Sequence, residues 1–284
     1  MLRLAVPNKG RLNPKTLETL RKAGIRVHLQ SERQLFAATD HDLNLVFTRA
    51  ADIPGFVAEG VVDLGITGLD VLRESGVDNV VEVRDLGYGA CRLVLALPEE
   101  SPLRGKPLPA GTKVATSFPR IARAHFAARG TNVHVIQVSG ATELTPHIGV
   151  ASAIVDLVSS GSTLAMNGLV EEGEILRSSA RLLASPEALR TKGAEIARLA
   201  AQLDSVVQAE GKRYVMANVP VAALDDARRI LPGLNGPTIL EVAQPGMKAV
   251  HAVVAERLVN ETLERLQAIG AQGILVLPIE RLVA

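Results

Sequence analysis

The residues best suited to chemistry lie together in Ile154-Val155-Asp156-Leu157-Val158-Ser159-Ser160-Gly161-Ser162-Thr163-Leu164. An apolar run carries an acidic residue, small residues follow, and a helical pattern begins. Backbone N–H groups at a helix start lack partners within the helix, and small side chains let a phosphate approach them closely. The hydroxyls of Ser159, Ser160, Ser162 and Thr163 add donors. Asp156, just upstream, could accept hydrogen bonds from the hydroxyls of a sugar beside that phosphate, an arrangement suited to a phosphorylated ribose. The same stretch also reads as a plain turn in which Ser162 caps a helix.

Glu143, after Gly140 at the end of another apolar run, pairs with Asp156 as a second acceptor. Two carboxylates suit the two hydroxyls of a ribose, or a magnesium ion held through water. Alone, Glu143 reads as an exposed glutamate at a helix start, favoured by the dipole. A basic group complements them: Lys9 and Arg11 in Val6-Pro7-Asn8-Lys9-Gly10-Arg11-Leu12, and Arg49 after Leu43–Thr48. In an open α/β sheet ligands sit beyond the carboxyl ends of the strands, so all three could face one crevice. Asp63-Leu64-Gly65-Ile66-Thr67-Gly68 supplies a further glycine-flanked turn at the same edge, where Thr67 and Gly68 would meet a ligand. Singly, each basic residue reads as a solvated surface charge.

Other chemistries find less support. His28, His41, His125, His134, His147 and His251 form no HxH or HExxH spacing. The one cysteine, Cys91, excludes an intrachain disulfide and reads as a small core residue. No GxGxxG or GxxxxGK[ST] pattern occurs. With 31 basic and 30 acidic residues the net charge is +1, which offers no basic field for nucleic acid. Two Tyr, five Phe and no Trp leave few stacking platforms. The apolar start ends at Pro7, too short for a signal peptide, and no apolar stretch reaches the roughly 18 residues of a membrane span. A soluble cytoplasmic protein is expected.

The elements that must position these residues alternate between strand and helix. Strands are predicted at Leu2–Val6, Leu43–Thr48, Val61–Thr67, Cys91–Leu97, Lys113–Thr116, Val133–Val138 and Ala153–Val158. Helices are predicted at Lys15–Ala23 (capped by Asn13), Leu69–Glu74, Pro119–Arg129, Glu143–Gly149 and Ser162–Leu169. Another, after Thr48, would turn Ile53, Phe56 and Val57 inward. Pro98 to Gly111 loosely separates two α/β lobes with a cleft between them. A long helix, Ser185–Ala209, opens with a Ser cap and Pro186. After Gly211 the order is β-α-β-β-α-β, with strands Tyr214–Val219, Thr238–Ala243, Met247–Val254 and Gly273–Leu277, and helices Val221–Ile230 and Leu258–Ile269. That ferredoxin-like order is complete in itself.

Taken together, Val6-Pro7-Asn8-Lys9-Gly10, Thr48-Arg49-Ala50-Ala51-Asp52-Ile53-Pro54, Val62 to Gly68 and Asp156 to Leu164 resemble the ATP phosphoribosyltransferases that open histidine biosynthesis. Asn218-Val219-Pro220, Leu231-Pro232-Gly233-Leu234 and Gly236-Pro237-Thr238 resemble the regulatory domain found only in their long form. The resemblance spans the chain. It implies a two-lobed core like the type II periplasmic binding proteins, crossed twice by the chain, plus a C-terminal ferredoxin-like regulatory domain. The expected division is 1–92 with 180–210 as lobe I, 93–179 as lobe II and 211–284 as the histidine-binding domain.

The resemblance further implies transfer of phosphoribosyl from phosphoribosyl pyrophosphate to N1 of the adenine of ATP, with Mg2+ present and held mainly through substrate phosphates. Ser159–Thr163 would hold the 5-phosphate, with Asp156 and Glu143 on the ribose hydroxyls. Lys9, Arg11 and Arg49 would surround the triphosphate or departing pyrophosphate, and Phe118 would flank adenine. Asn218, Leu234, Thr238 and Gly273 fall on positions associated with histidine, the inhibitor, which would convert a homodimer into a homohexamer. Two positions depart from the family pattern: Ser162, where a basic residue is frequent, and Met247, where an aromatic is. The rival reading is a solute-binding protein of the same bilobal fold with no chemistry.

Overall fold

A computed structural model describes residues 1–29, 31, 34–159 and 161–283. The chain divides into two units, Met1–Ala201 and Gln202–Ala284. In the first, the order is β1 (Leu2–Pro7), α1 (Leu12–Lys22), β2 (Phe36–Ala38), β3 (Leu43–Thr48), α2 (Ile53–Ala58), β4 (Leu64–Gly68), α3 (Leu69–Ser75), β5 (Val81–Asp85), β6 (Cys91–Pro98), β7 (Lys113–Thr116), α4 (Pro119–Ala128), β8 (His134–Gln137), β9 (Ala153–Val158), α5 (Ser162–Met166), β10 (Leu169–Ser178) and β11 (Ala180–Ala184). The unit boundary falls inside α6 (Pro186–Ala209).

Two sheets organise this unit, in the orders β2-β3-β1-β4-β11-β5 and β10-β6-β9-β7-β8. The chain passes to the second sheet between Asp85 and Cys91 and returns at Ser179. These are the two crossings of a bilobal α/β protein. β1 runs parallel to β3 and β4, and β7 runs parallel to β8 and β9, so several strand carboxyl ends share one edge in each lobe. β4 is buried along its whole length. Parallel strands covered on both faces read as continuous apolar runs, which is why β1, β4 and β9 were legible.

The second unit has β12 (Lys212–Pro220), α7 (Leu224–Ile230), β13 (Thr238–Glu241), β14 (Met247–Ala255), α8 (Val259–Ala268) and β15 (Gln272–Pro278). Its sheet order, β13-β14-β12-β15, is the ferredoxin-like one. Val215, Val219, Leu231, Val250 and Leu266 form its core. Met247, at the start of β14, is buried.

Several local expectations change. Asn13 does not cap α1: it lies inside the helix, and its Nδ2 donates to the Pro7 carbonyl at 2.6 Å. Phe56 points outward, 37% exposed, while Ile53 and Val57 are fully buried. β4 begins at Leu64 rather than Val61, because Val61 is exposed in the preceding turn. Glu143–Gly149 is not a helix: only Thr142–Leu144 form a 3₁₀ turn, followed by loop. Ser185 does cap α6, its Oγ accepting the Ala188 N–H at 3.0 Å.

At Gly65 of β4, helix α2 packs closely on the sheet. A Cβ there would stand 2.4 Å from Ile53 Cγ2 and 2.8 Å from Val57 Cγ2, both on α2. Buried β-branched side chains have little freedom to move aside. Gly65→Ala is expected to destabilise the first unit by about 1–3 kcal/mol, read as a lower urea midpoint; an unchanged midpoint would mean that α2 shifts freely on the sheet.

Candidate functional site in the first unit

The loops after β1 and β3 are tied together by the Asn8 N–H, which donates to the Thr48 carbonyl at 2.7 Å. Lys9, Arg11 and Arg49 therefore emerge beside one another, all exposed. Thr67 takes a different part from the one expected. It is fully buried, and its hydroxyl donates to the Ala50 carbonyl at 3.0 Å. It holds the turn after Arg49 and has no side-chain donor left for a ligand. Gly68 leaves space for Asp70, since a Cβ would lie 2.2 Å from Asp70 Oδ1. Buried Asp70 accepts the Ser178 hydroxyl at 2.5 Å, which joins α3 to the end of β10. Asp63 sits at the far end of β4, where Lys192 Nζ and the Arg3 N–H each approach its carboxylate at 2.8 Å.

In the second lobe, β9 carries Asp156 to the loop containing Ser159 and Gly161. Gly161 has φ +82° and caps α5, so Ser162 is the first helical residue rather than the cap. That φ suits glycine because it has no Cβ to clash with the following carbonyl. Ser159, Ser162 and Thr163 are exposed, whereas Ser160 lies outside the described residues. A pocket of about 240 Å³ is lined by Glu143, Asp156, Ser159, Gly161, Thr163 and neighbouring backbone. Glu143 enters it from the 3₁₀ turn, which is preceded by Ala141 at φ +49°, the one positive φ outside glycine among the described residues. Such a conformation costs of order 1 kcal/mol or more and persists where the surroundings impose it.

Burial pushes the Asp156 carboxyl above the usual aspartate range, and the Glu143 charge adds to the rise. The Leu157 N–H, donating to Asp156 Oδ1 at 2.8 Å, opposes it. Two acceptors that repel one another across the pocket suit donors such as vicinal hydroxyls or a cation. Across the cleft Arg11 Nη1 donates to Ser159 Oγ, so a basic residue of the first lobe reaches the small-residue loop of the second. A second link runs from Glu74 on α3 to the N–H groups of Arg120 and Ile121 at the start of α4, at 2.9 and 3.0 Å. Phe118 is half-buried and packs on the second lobe's core with Leu93, Val114 and Phe126. Cys91 is buried, and that burial raises its thiol pKa.

Of the C-terminal candidates, Asn218 and Gly273 meet on adjacent strands β12 and β15. Gly273 has φ +57°, and the Asn218 Nδ2 lies 3.4 Å from where its Cβ would be. Thr238 is exposed on β13, with β14 between it and β12, and Leu234 is exposed in the loop before it.

Sequence reasoning passed over Asp70, Ser178, Arg92 and Glu171. Arg92 was the readable one: a lone charge in the apolar run Cys91–Leu97 needs a partner. Among the described residues, no group of three or more His, Cys, Asp or Glu side chains could hold a metal ion, and no helix is long and apolar enough to cross a membrane.

A sequence profile of the ATP phosphoribosyltransferase family (HisG) matches residues 49–205, and one of the HisG C-terminal domain matches residues 209–281. An ATP phosphoribosyltransferase of Halobacterium salinarum is 51% identical over 99% of this chain and 100% of its own length. One from Methanopyrus kandleri is 49% identical over the full length of both. The solved ATP phosphoribosyl transferase (HisG:HisZ) complex from Thermotoga maritima contains a chain with 30% identity and a TM-score of 0.64, covering 73% of this chain and 99% of that one.

The raised Asp156 carboxyl has a consequence for stability. A folded-state pKa above the unfolded value stabilises the fold fully below the unfolded pKa, and that contribution is lost as pH rises through the folded pKa. Asp156→Asn removes the loss. Its thermal midpoint should exceed the parent's at about pH 7 and approach it towards about pH 4, as scanning calorimetry would read. A difference independent of pH would mean that Asp156 ionises without penalty.

Proposed function

The chain belongs to the ATP phosphoribosyltransferase family, and from that premise we propose how its own residues divide the work. The enzyme transfers the 5-phosphoribosyl group of phosphoribosyl pyrophosphate to N1 of the adenine of ATP, the first step of histidine biosynthesis. The products are N1-(5-phosphoribosyl)-ATP and pyrophosphate. The observation that carries the assignment of roles is the Arg11–Ser159 hydrogen bond, which joins the basic edge of one lobe to the Gly161 loop beside Asp156 and Glu143.

The 5-phosphate of the donor is assigned to the loop Ser159–Thr163, supported by the positive φ of Gly161 and the exposed hydroxyls around it. Asp156 and Glu143 take the ribose hydroxyls. C1 becomes electron-poor as pyrophosphate departs, and two carboxylates nearby stabilise that developing positive charge. Adenine N1 attacks with its own lone pair and carries no proton, so no general base is needed. Lys9 and Arg49 hold the triphosphate or the leaving pyrophosphate. Arg11, bonded to Ser159, belongs to the donor's phosphates as well. Gly68 shapes the turn beneath them, Thr67 supports Arg49 through the Ala50 carbonyl, and Phe118 borders the adenine from its seat in the core. The rate then comes from positioning and charge.

Asp156 and Glu143 provide two carboxylates, fewer than a protein cage for magnesium needs, so the donor set suits an ion held mainly by substrate phosphates with these two reached directly or through water. Bound in that way, Mg2+ supplies charge neutralisation on the pyrophosphate. A cytoplasmic location accords with ATP as substrate. The lobes are assigned as 1–92 with 180–210 and 93–179, except that Cys91 and Arg92 belong to β6 of the second sheet, and 211–284 is assigned as the regulatory domain. There histidine is taken by Asn218 and Gly273, with Leu234 and Thr238 bordering from the neighbouring loop and strand. Histidine binding shifts a homodimer towards a homohexamer.

In a pyrophosphate-release assay with ATP, phosphoribosyl pyrophosphate and magnesium, the parent should turn over and chelation should stop it. Gly161→Val, which places a branched side chain at φ +82°, should raise the Michaelis constant for the donor at least about tenfold, or 1.4 kcal/mol. Unchanged donor affinity in a folded variant would remove the loop from the site.

Histidine should inhibit the intact protein, and Asn218→Ala should weaken that inhibition about tenfold or more while uninhibited turnover stays near the parent's. Equal inhibition of both proteins would take the histidine site away from β12.

A further inference from the structure

Arg92 lies on β6, and its guanidinium forks onto Glu171 of β10, Nη1 to Oε2 at 2.8 Å and Nη2 to Oε1 at 3.0 Å. Glu174, whose nearest oxygen is 4.0 Å from Arg92 Nη1, is itself held by Arg177 at 2.7 Å. Arg92 is therefore matched to Glu171. The register of the second sheet sets Arg92 opposite Val158 and Val94 opposite Asp156. Arg92, Val94 and Asp156 thus share one face, because directly paired residues and alternate residues along a strand point the same way. On that face Glu171 Oε1 lies 3.4 Å from where a Gly161 Cβ would stand. A carboxylate abuts the loop proposed to receive a phosphate.

Left unpaired, that carboxylate would repel an arriving dianion at short range, where charges beside a protein surface interact strongly. Resting on the reading of Ser159–Thr163 as the donor's phosphate loop, we infer that Arg92 is a positioning residue for the phosphoribosyl donor, neutralising Glu171 so that the Gly161 loop can accept the 5-phosphate. Arg92 acts through Glu171 and does not touch substrate. The planar fork suits this role because it satisfies both carboxylate oxygens and holds the group flat beneath the loop. The pair abuts the Gly161 loop, where the reading above puts the donor's 5-phosphate, so its effect is expected on the donor rather than on ATP.

The test is a charge cycle read by calorimetric titration of phosphoribosyl pyrophosphate with magnesium, alongside the Michaelis constant for ATP. Arg92→Gln should weaken donor binding about tenfold or more, and Arg92→Lys, which keeps the charge and loses the fork, should recover part of it. Glu171→Gln should tighten donor binding a few-fold. The double variant Arg92→Gln with Glu171→Gln should return to within about threefold of the parent. The constant for ATP should change less than about twofold throughout. If the pair is only a mechanical strut, Glu171→Gln weakens binding as Arg92→Gln does and the double variant is no better than either, which overturns the inference. Gly161→Val separates the two levels: donor binding unmoved by it overturns the phosphate loop itself, whereas weakened binding with no coupling between Arg92 and Glu171 overturns this inference alone.

Discussion

A chain that leaves its first sheet at Asp85 and builds a second one must come back, and the pairing of β11 with β4 is where it does. Ala180–Ala184 lies antiparallel to Leu64–Gly68 from end to end, with β5 on its other side. All of β4 is buried, and Leu182 and Leu183 are fully buried beside it. At about 25 cal/mol per Å² of apolar surface removed from water, a strand buried on both faces is among the larger stabilising terms available to the lobe. The return also brings Ser178 against Asp70, and the buried carboxylate holds the end of β10 to the start of α3. Breaking that pair would leave buried polar groups without partners, which costs more than the bond itself contributes.

From that closure the cleft follows. The two lobes meet with strand carboxyl ends towards a common space, bridged by Arg11 on Ser159 and by Glu74 on the start of α4. Charges are sorted across it. The first lobe contributes Lys9, Arg11 and Arg49, and the second contributes Asp156 and Glu143 around a glycine-hinged loop. Under the proposed assignment, this separation serves the transfer of an electron-poor sugar from pyrophosphate to an uncharged nitrogen: cations for the leaving group, carboxylates for the sugar, and no proton acceptor. The positive φ of Ala141 and the raised Asp156 carboxyl mark where the two acceptors are brought together.

The sequence by itself determined the parallel strands β1, β3, β4, β7, β8 and β9, the position of α4, the β-α-β-β-α-β order of the tail, and the family, because these rest on local periodicity, capping and short contiguous motifs. It also pointed to Gly161, whose positive φ is a backbone requirement of that turn alone. It passed over the buried β11, and α6, read as one helix, is kinked at Lys192. Tertiary structure decided what the edges do. β5 and β10 are sheet-edge strands with polar, irregular patterns, β10 broken by two register shifts, so their burial has no period to read. Thr67 reads as a ligand contact from its motif, yet its hydroxyl is committed to the Ala50 carbonyl. Arg11 and Ser159 are 148 residues apart, as Asp70 and Ser178 are 108. Interactions between residues so distant leave no local trace, because what joins them is the path of the chain through two sheets.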